Sequence, residues 1–416
     1  MFLFPLYAIY KGWGDEFYGF VLALGGYAAM AVMFFLGMIV DIRFKRTTMI
    51  IGVIATILSA IFFTRINQQI VSLIFYCLYS IGQQLMRLST NTYIANESKK
   101  GQERTKKFSA YNLVASIART IAPLSCGYLL LIPVLDFDWV FTIIAVFALV
   151  SLILVTFLKL AVEDTPEEEL GYAEKISEDS GDDYTEFNDH DDGKKAILGV
   201  QISFGIGKVL MGFASGVAIP FISWYILKEF NPSSDVWGLI TSLSWAVMAV
   251  GYLLHSLYAE KIGKALVVVI SWLLVVPMAL GIMLVDSFFW VTFFYIARSF
   301  FAMTPGGSWN SFQMEWIPPK NRGKVLGLLQ TGQRGMRATG TLIGGYIFAL
   351  LGTAIFPVAM VFYPLAGIIP LVQSKIVKKK LGKEEKKVEE QKEEKYEEIK
   401  GKNKEFIPRP ASQKIE

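Results

Sequence analysis

Gly37-Met-Ile-Val-Asp-Ile-Arg-Phe-Lys-Arg46 separates two long apolar runs with one acid and three bases. Its counterpart far along the chain is Ser256-Leu-Tyr-Ala-Glu-Lys-Ile-Gly-Lys264. Asp41 and Glu260 lie 219 positions apart, as do Lys45 and Lys264. The same offset sets Tyr18-Gly19-Phe20 against Trp237-Gly238-Leu239. An offset of 218 sets Arg104 against Arg322, Arg119 against Arg337 and Gly127 against Gly345. Apolar residues match by chance easily, but charges at fixed spacing do not. The chain therefore reads as two repeated halves.

The surroundings of these clusters set the class. Of 416 residues, 53% are hydrophobic and only 18% are charged, and mean hydropathy is +0.45. A soluble domain is less apolar and more charged. A net charge of +4 gives no support to nucleic acid binding. Apolar runs fall near 16–38, 48–64, 70–93, 108–133, 137–160, 196–227, 235–257, 265–285, 288–313, 323–350 and 353–375, and Met1–Tyr10 resembles the end of one more. About 20 apolar residues in a helix cross a bilayer, and lipid gives the backbone no partners outside the helix. The expected fold is an all-α membrane protein of two six-helix bundles. Pro5 matches Pro220, but 24 residues lie between Lys195 and Pro220 and only four precede Pro5. The first helix is therefore expected to be truncated at its N-terminal side.

Short loops on one side carry Arg43, Lys45, Arg46, Lys99, Lys100, Arg104, Lys106, Lys107, Lys261, Lys264, Lys320, Arg322 and Lys324; the other side holds Lys11, Arg65 and Lys228. The positive-inside rule makes the first set cytoplasmic, together with the C-terminus. The expected organisation is an N-terminal bundle over 1–160, an acidic cytoplasmic linker over 161–195, a C-terminal bundle over 196–376 and a charged cytoplasmic tail over 377–416. The linker, with Glu167, Glu168, Glu169, Asp182 and Asp183, reads as a solvated spacer.

The Gly37–Arg46 segment resembles the G-x-x-x-D-[RK]-x-G-[RK]-[RK] signature of the major facilitator superfamily, with Ile42 and Phe44 departing from it. The second copy keeps Gly263 but has Ser256 at its leading position. With the twelve-span hydropathy, the resemblance covers the chain to Ser374. It implies a monomeric transporter in the cell membrane that works by alternating access. It also implies a cytoplasmic gate from Gly37, Asp41, Arg43, Lys45, Arg46, Glu260, Lys261, Gly263 and Lys264, the other reading being that the bases only set topology. Ala122-Pro123-Leu124-Ser125-Cys126-Gly127 reads as a small-residue stretch that permits close helix contact.

Ionisable residues inside spans are costly and are functional candidates. Arg119 lies about 17 Å into the fifth span and Arg337 about 21 Å into the eleventh. Lys208 and Arg298 also fall near the middle, and Arg87 falls nearer the cytoplasmic end. No Asp or Glu lies near the midplane of these runs. Arg suits carboxylate or phosphate through its planar fork. The candidate site for a small organic or phosphorylated anion is Arg119, Lys208, Arg298, Arg337, Arg87, Gln83 and Asn310. The open alternative is that these cations pair with an acid elsewhere in the protein, the first helix included. Rival functions are efflux of amphipathic compounds on the same fold and a transport-dead membrane sensor.

Other chemistry has little support. Cys77 and Cys126 lie in apolar runs, and His190 and His255 are the only histidines, so neither a disulfide framework nor a metal site is expected. No G-x-x-x-x-G-K-[ST] loop for ATP occurs. No paired carboxylates of a membrane transferase stand within or beside a span, apart from the gate-like positions. Neither an enzyme activity nor a cofactor is expected. The expected partners are a small-molecule substrate, a coupling ion and the lipid bilayer.

Overall fold

A computed structural model describes residues 3–37, 45–66, 68–96, 102–157, 191–314, 316–317 and 322–379. Every regular element among them is helical. Half one comprises α1 (Leu3–Tyr10), α2 (Asp15–Gly37), α3 (Lys45–Arg65), α4 (Gln69–Asn96), α5 (Gln102–Leu129) and α6 (Phe137–Phe157). Half two comprises α7 (Asp191–Phe230), α8 (Ser234–Ile262), α9 (Lys264–Leu284), α10 (Phe288–Met303), α11 (Gly306–Met314), α12 (Arg322–Leu351), α13 (Ile355–Met360) and α14 (362–379). Among the described residues, five stretches are long and apolar enough to cross a membrane on length and composition: Arg46–Arg65, Phe137–Phe157, Lys195–Phe230, Lys264–Leu284 and Val325–Lys379.

The tenth and twelfth apolar runs are not single helices. Run 288–313 breaks at Thr304-Pro305 into α10 and α11. Proline has no N–H to continue the helical ladder. The twelfth run follows a 3-10 turn at Gly352–Ala354 and is interrupted by a turn residue at Val361. Between α8 and α9, Gly263 takes φ of 93° and its N–H reaches the Ala259 carbonyl at 3.1 Å. A side chain there would be strained, which explains the glycine in the second loop copy. In the first copy, Asp41 and Arg43 lie outside the described residues. Arg46 donates to the Thr156 carbonyl at the end of α6, where a cation satisfies the helix C-terminus.

Successive spans alternate in direction, so the molecule has two faces. The linker face carries the end of α6, the start of α7 and the end of α14. The turn face carries the short turns at 11–14, 130–136, 231–233 and 285–287. Within half one, α3 packs on α4 and α6, and α2 packs on α4. Within half two, α12 lies along α7. Across the halves, α2 packs on α12 and α5 on α8. Aromatic rings hold the short α1 in place. Phe4 lies 4.3 Å from Tyr76 and 5.5 Å from Tyr18, and Tyr7 lies 4.8 Å from Phe63. Each such pair contributes about 0.5–1.5 kcal/mol beyond area burial.

Candidate substrate site between the halves

Four glycines bring the halves together near the turn face. A Cβ on Gly19 of α2 would lie 3.1 Å from the Gly345 Cα of α12. A Cβ on Gly238 of α8 would lie 2.6 Å from the Pro123 carbonyl oxygen of α5, and one on Gly127 would lie 2.5 Å from that of Ser234. Gly19 and Gly238 are repeat mates, and so are Gly127 and Gly345. The pseudo-twofold axis thus converts one inter-half contact into the other. Only backbones without Cβ can approach so closely. This gives physical content to the small-residue stretch of α5.

Polar contacts reinforce the seam. Asp15 accepts from the Trp224 indole N–H at 2.6 Å and pairs with Lys228 at 2.9 Å. Its repeat mate Ser234 donates to the Gly127 carbonyl at 2.9 Å. Further along, Tyr27 and Thr339 share a hydrogen bond of 2.8 Å. Lys228 is exposed, so the ion pair adds at most about 1 kcal/mol. Asp15→Asn should therefore open the turn face several-fold more often without unfolding the protein. Spin labels on Leu131→Cys and Asp286→Cys, in a background lacking Cys77 and Cys126, would report this as a larger long-distance population.

Between this seam and the linker face lie the cations. Arg334 and Arg337 of α12 are electrostatic neighbours of each other, and Arg87 of α4 neighbours Arg334 from the opposite half. Arg337 also acts on Tyr76 of half one and Tyr363 of half two. Its backbone is fixed because Gly216 lets the Arg337 carbonyl sit directly against α7. Arg119, its repeat mate, stacks 5.3 Å from the Trp245 ring across the seam, near Tyr252. Arg298 is 3% exposed, donates to Ser299 Oγ at 2.8 Å and lies beside Tyr363. Its Nε and Nη1 have no hydrogen-bond partner among the described residues. Carboxylates with described side chains, such as Asp15, Glu229, Asp235 and Asp286, sit at helix ends on the turn face.

The site expected from sequence thus divides. Arg87, Arg298 and Arg337 join one neighbourhood that both halves contribute to. Arg119 lies on the seam. Lys208 is buried in half two, 5.9 Å from the Trp309 ring, and Trp272 lies between that ring and Tyr363, at 5.0 and 6.0 Å. Gln83 is exposed one turn from Arg87, and Asn310 is exposed beside the buried Trp309. Sequence reasoning did not select Tyr76, Tyr252 or Tyr363. Tyrosines in apolar runs carry no charge signal, so only tertiary packing distinguishes them from core aromatics. His255 is hydrogen-bonded to Ser271 at 2.7 Å, which ties α8 to α9. No group of three or more metal-ligating residues occurs among the described residues.

Two pseudo-symmetric helical bundles with a charged centre define the class of membrane carriers. The Major Facilitator Superfamily model matches residues 1–196 and 204–412, and the chain belongs to that family. A cis,cis-muconate transport protein of Acinetobacter baylyi is 31% identical over 144 residues, 32% of this chain and 34% of that protein. The multi-drug resistance efflux pump PmrA of Streptococcus pneumoniae is 24% identical over 185 residues, 43% of this chain and 46% of that protein. The chain thus matches less than half the length of these curated relatives. The inward-facing, occupied structure of a bacterial homolog of the human lysosomal transporter Spinster has a TM-score of 0.64 at 14% identity, covering 90% of this chain and 92% of that one. Membership in this family implies a multi-pass membrane protein, and family and fold point to transport rather than to enzyme catalysis.

Proposed function

We propose that this protein carries a small organic anion across the cell membrane by alternating access. The observation that carries the reading is the convergence of Arg87, Arg334 and Arg337 from both halves without a described carboxylate among them. Like charges in a low-dielectric centre repel, and an anion bound between them removes that cost. A substrate held by both halves also links binding to their movement. Arg87, Arg298 and Arg337 form the anion neighbourhood, with Arg119 approaching across the seam. The similarity to a muconate carrier supports a carboxylate as the anionic group.

The linker face is cytoplasmic in this reading, because the Lys- and Arg-rich loops lie there. The glycine seam closes the outer side, so the described state faces inward. Asp41 and Glu260, with Arg43, Lys45, Lys261 and Lys264, close the cytoplasmic side in the alternate state. The working unit is one chain with bundles over 1–160 and 196–376. Efflux of amphipathic cations is the second reading, supported by similarity to PmrA; the cationic centre opposes it. A thermal-shift screen of purified protein tests the choice, since ligands that bind the folded state raise its apparent stability. Carboxylates should raise the melting temperature, and Arg337→Gln should abolish the shift. Shifts only with lipophilic cations would overturn the proposal.

A further inference from the structure

Half two contains a second donor-rich cluster, apart from the Arg87–Arg334–Arg337 group. Lys208 of α7 is 8% exposed, and its ammonium makes no hydrogen bond or ion pair among the described residues. It lies 5.9 Å over the Trp309 ring of α11. Trp309 is 2% exposed and its indole Nε1 has no hydrogen-bond partner among the described residues. Gln313 is 0% exposed, and neither atom of its amide has one.

The three groups share one interface. Trp309 and Gln313 are four residues apart and so lie on one face of α11. Phe204, four residues before Lys208 on α7, packs at 5.2 Å from Trp309 and 5.1 Å from Phe312. That contact sets the Lys208 face of α7 against the Gln313 face of α11. Each buried donor without a partner costs about 1–3 kcal/mol. Two such side chains one turn apart, with an ammonium over one of them, are a concentration that packing alone does not require.

We propose that Lys208, Trp309 and Gln313 form a carboxylate-binding subsite, and that Phe204 and Phe312 favour an aryl or conjugated body on that carboxylate. This deepens the organic-anion reading and rests on it. The ammonium, the indole N–H and the amide N–H each donate to a carboxylate oxygen. Ammonium supplies the single compensating charge, which suits a monoanionic carboxylate end better than a phosphate dianion. The subsite belongs to half two alone, so it holds its group while the halves separate.

The test uses the full chain in nanodiscs with benzoate as probe. Titration calorimetry gives affinity, and the ligand-free melting temperature reports folding. Lys208→Met and Gln313→Leu keep side-chain volume and remove the donors. Each should weaken benzoate binding tenfold or more, with the ligand-free melting temperature unchanged or raised. Trp309→Phe should weaken it several-fold. Unchanged affinity in both Lys208→Met and Gln313→Leu, or a fall in ligand-free stability without a change in affinity, would overturn the subsite. Loss of benzoate binding in Arg337→Gln alone would then leave the carrier reading standing. Wild-type protein that binds lipophilic cations and not benzoate would overturn both.

Discussion

Arg337→Gln should reduce carboxylate flux in proteoliposomes by about a hundredfold or more. The residue interacts electrostatically with Tyr76 of one half, with Tyr363 of the other and with Arg334. Removing one partner of a desolvated, hydrogen-bonded charge pair costs about 2–5 kcal/mol, and each 1.4 kcal/mol is a factor of about ten. A lysine replacement keeps the charge but loses the bidentate fork, so Arg337→Lys should retain partial flux. Folding should not suffer, because Arg334 loses a repulsive neighbour. A large fall in ligand-free melting temperature would show instead that Arg337 holds the helices together. Measured flux and melting temperature together separate the two roles.

Gly127→Val is expected to be as severe for a different reason. The new Cβ would lie 2.5 Å from the Ser234 carbonyl oxygen, and that neighbour is backbone. No side-chain rotation relieves it, so α5 and α8 must separate near the turn face. Gly345→Val should act likewise through the Asp15 carbonyl oxygen, 3.0 Å away, and the Gly19 Cα, 3.4 Å away. Both variants should lose more than about nine-tenths of transport, a change of about 1.4 kcal/mol or more in the balance of states. Labels at Leu131→Cys and Asp286→Cys should show the turn face held open. Gly327→Ala is the control, since nothing lies within 4 Å of its Cβ position; it should transport as wild type does. Normal flux in Gly127→Val would remove the seam from the transport cycle.

The fold was largely legible because its signals are local or periodic. Long apolar runs disclosed the helices, and the repeat of Asp41/Glu260 and Arg119/Arg337 disclosed the two halves. The glycine repeat mates were visible in sequence, yet their contact was not. A repeat assigns equivalent places in two halves, and it does not say which faces meet. The break at Thr304-Pro305 was harder to read because Pro is tolerated within membrane helices: α5, α7 and α9 continue through Pro123, Pro220 and Pro277.

The candidate site is legible only to the extent that charge marks it. Arg87, Arg298 and Arg337 stand out in apolar runs, and the structure places them around Tyr363 and Arg334. Lys208 stands out equally, and it lies against Trp309 of the same half. Asn310 is among the sequence candidates and Gln313 is not, yet the structure exposes the first and buries the second. The two are three residues apart, about 60° around the helix, and sequence alone does not fix which of them faces inward.

The most direct test of the central claim is uptake of radiolabelled cis,cis-muconate and benzoate by proteoliposomes containing the wild-type chain. An organic-anion carrier predicts saturable uptake of at least one of them, accelerated by unlabelled carboxylate on the far side and lost in Arg337→Gln. Transport of a lipophilic cation such as ethidium, with neither carboxylate moved and Arg337→Gln as active as wild type, would contradict it.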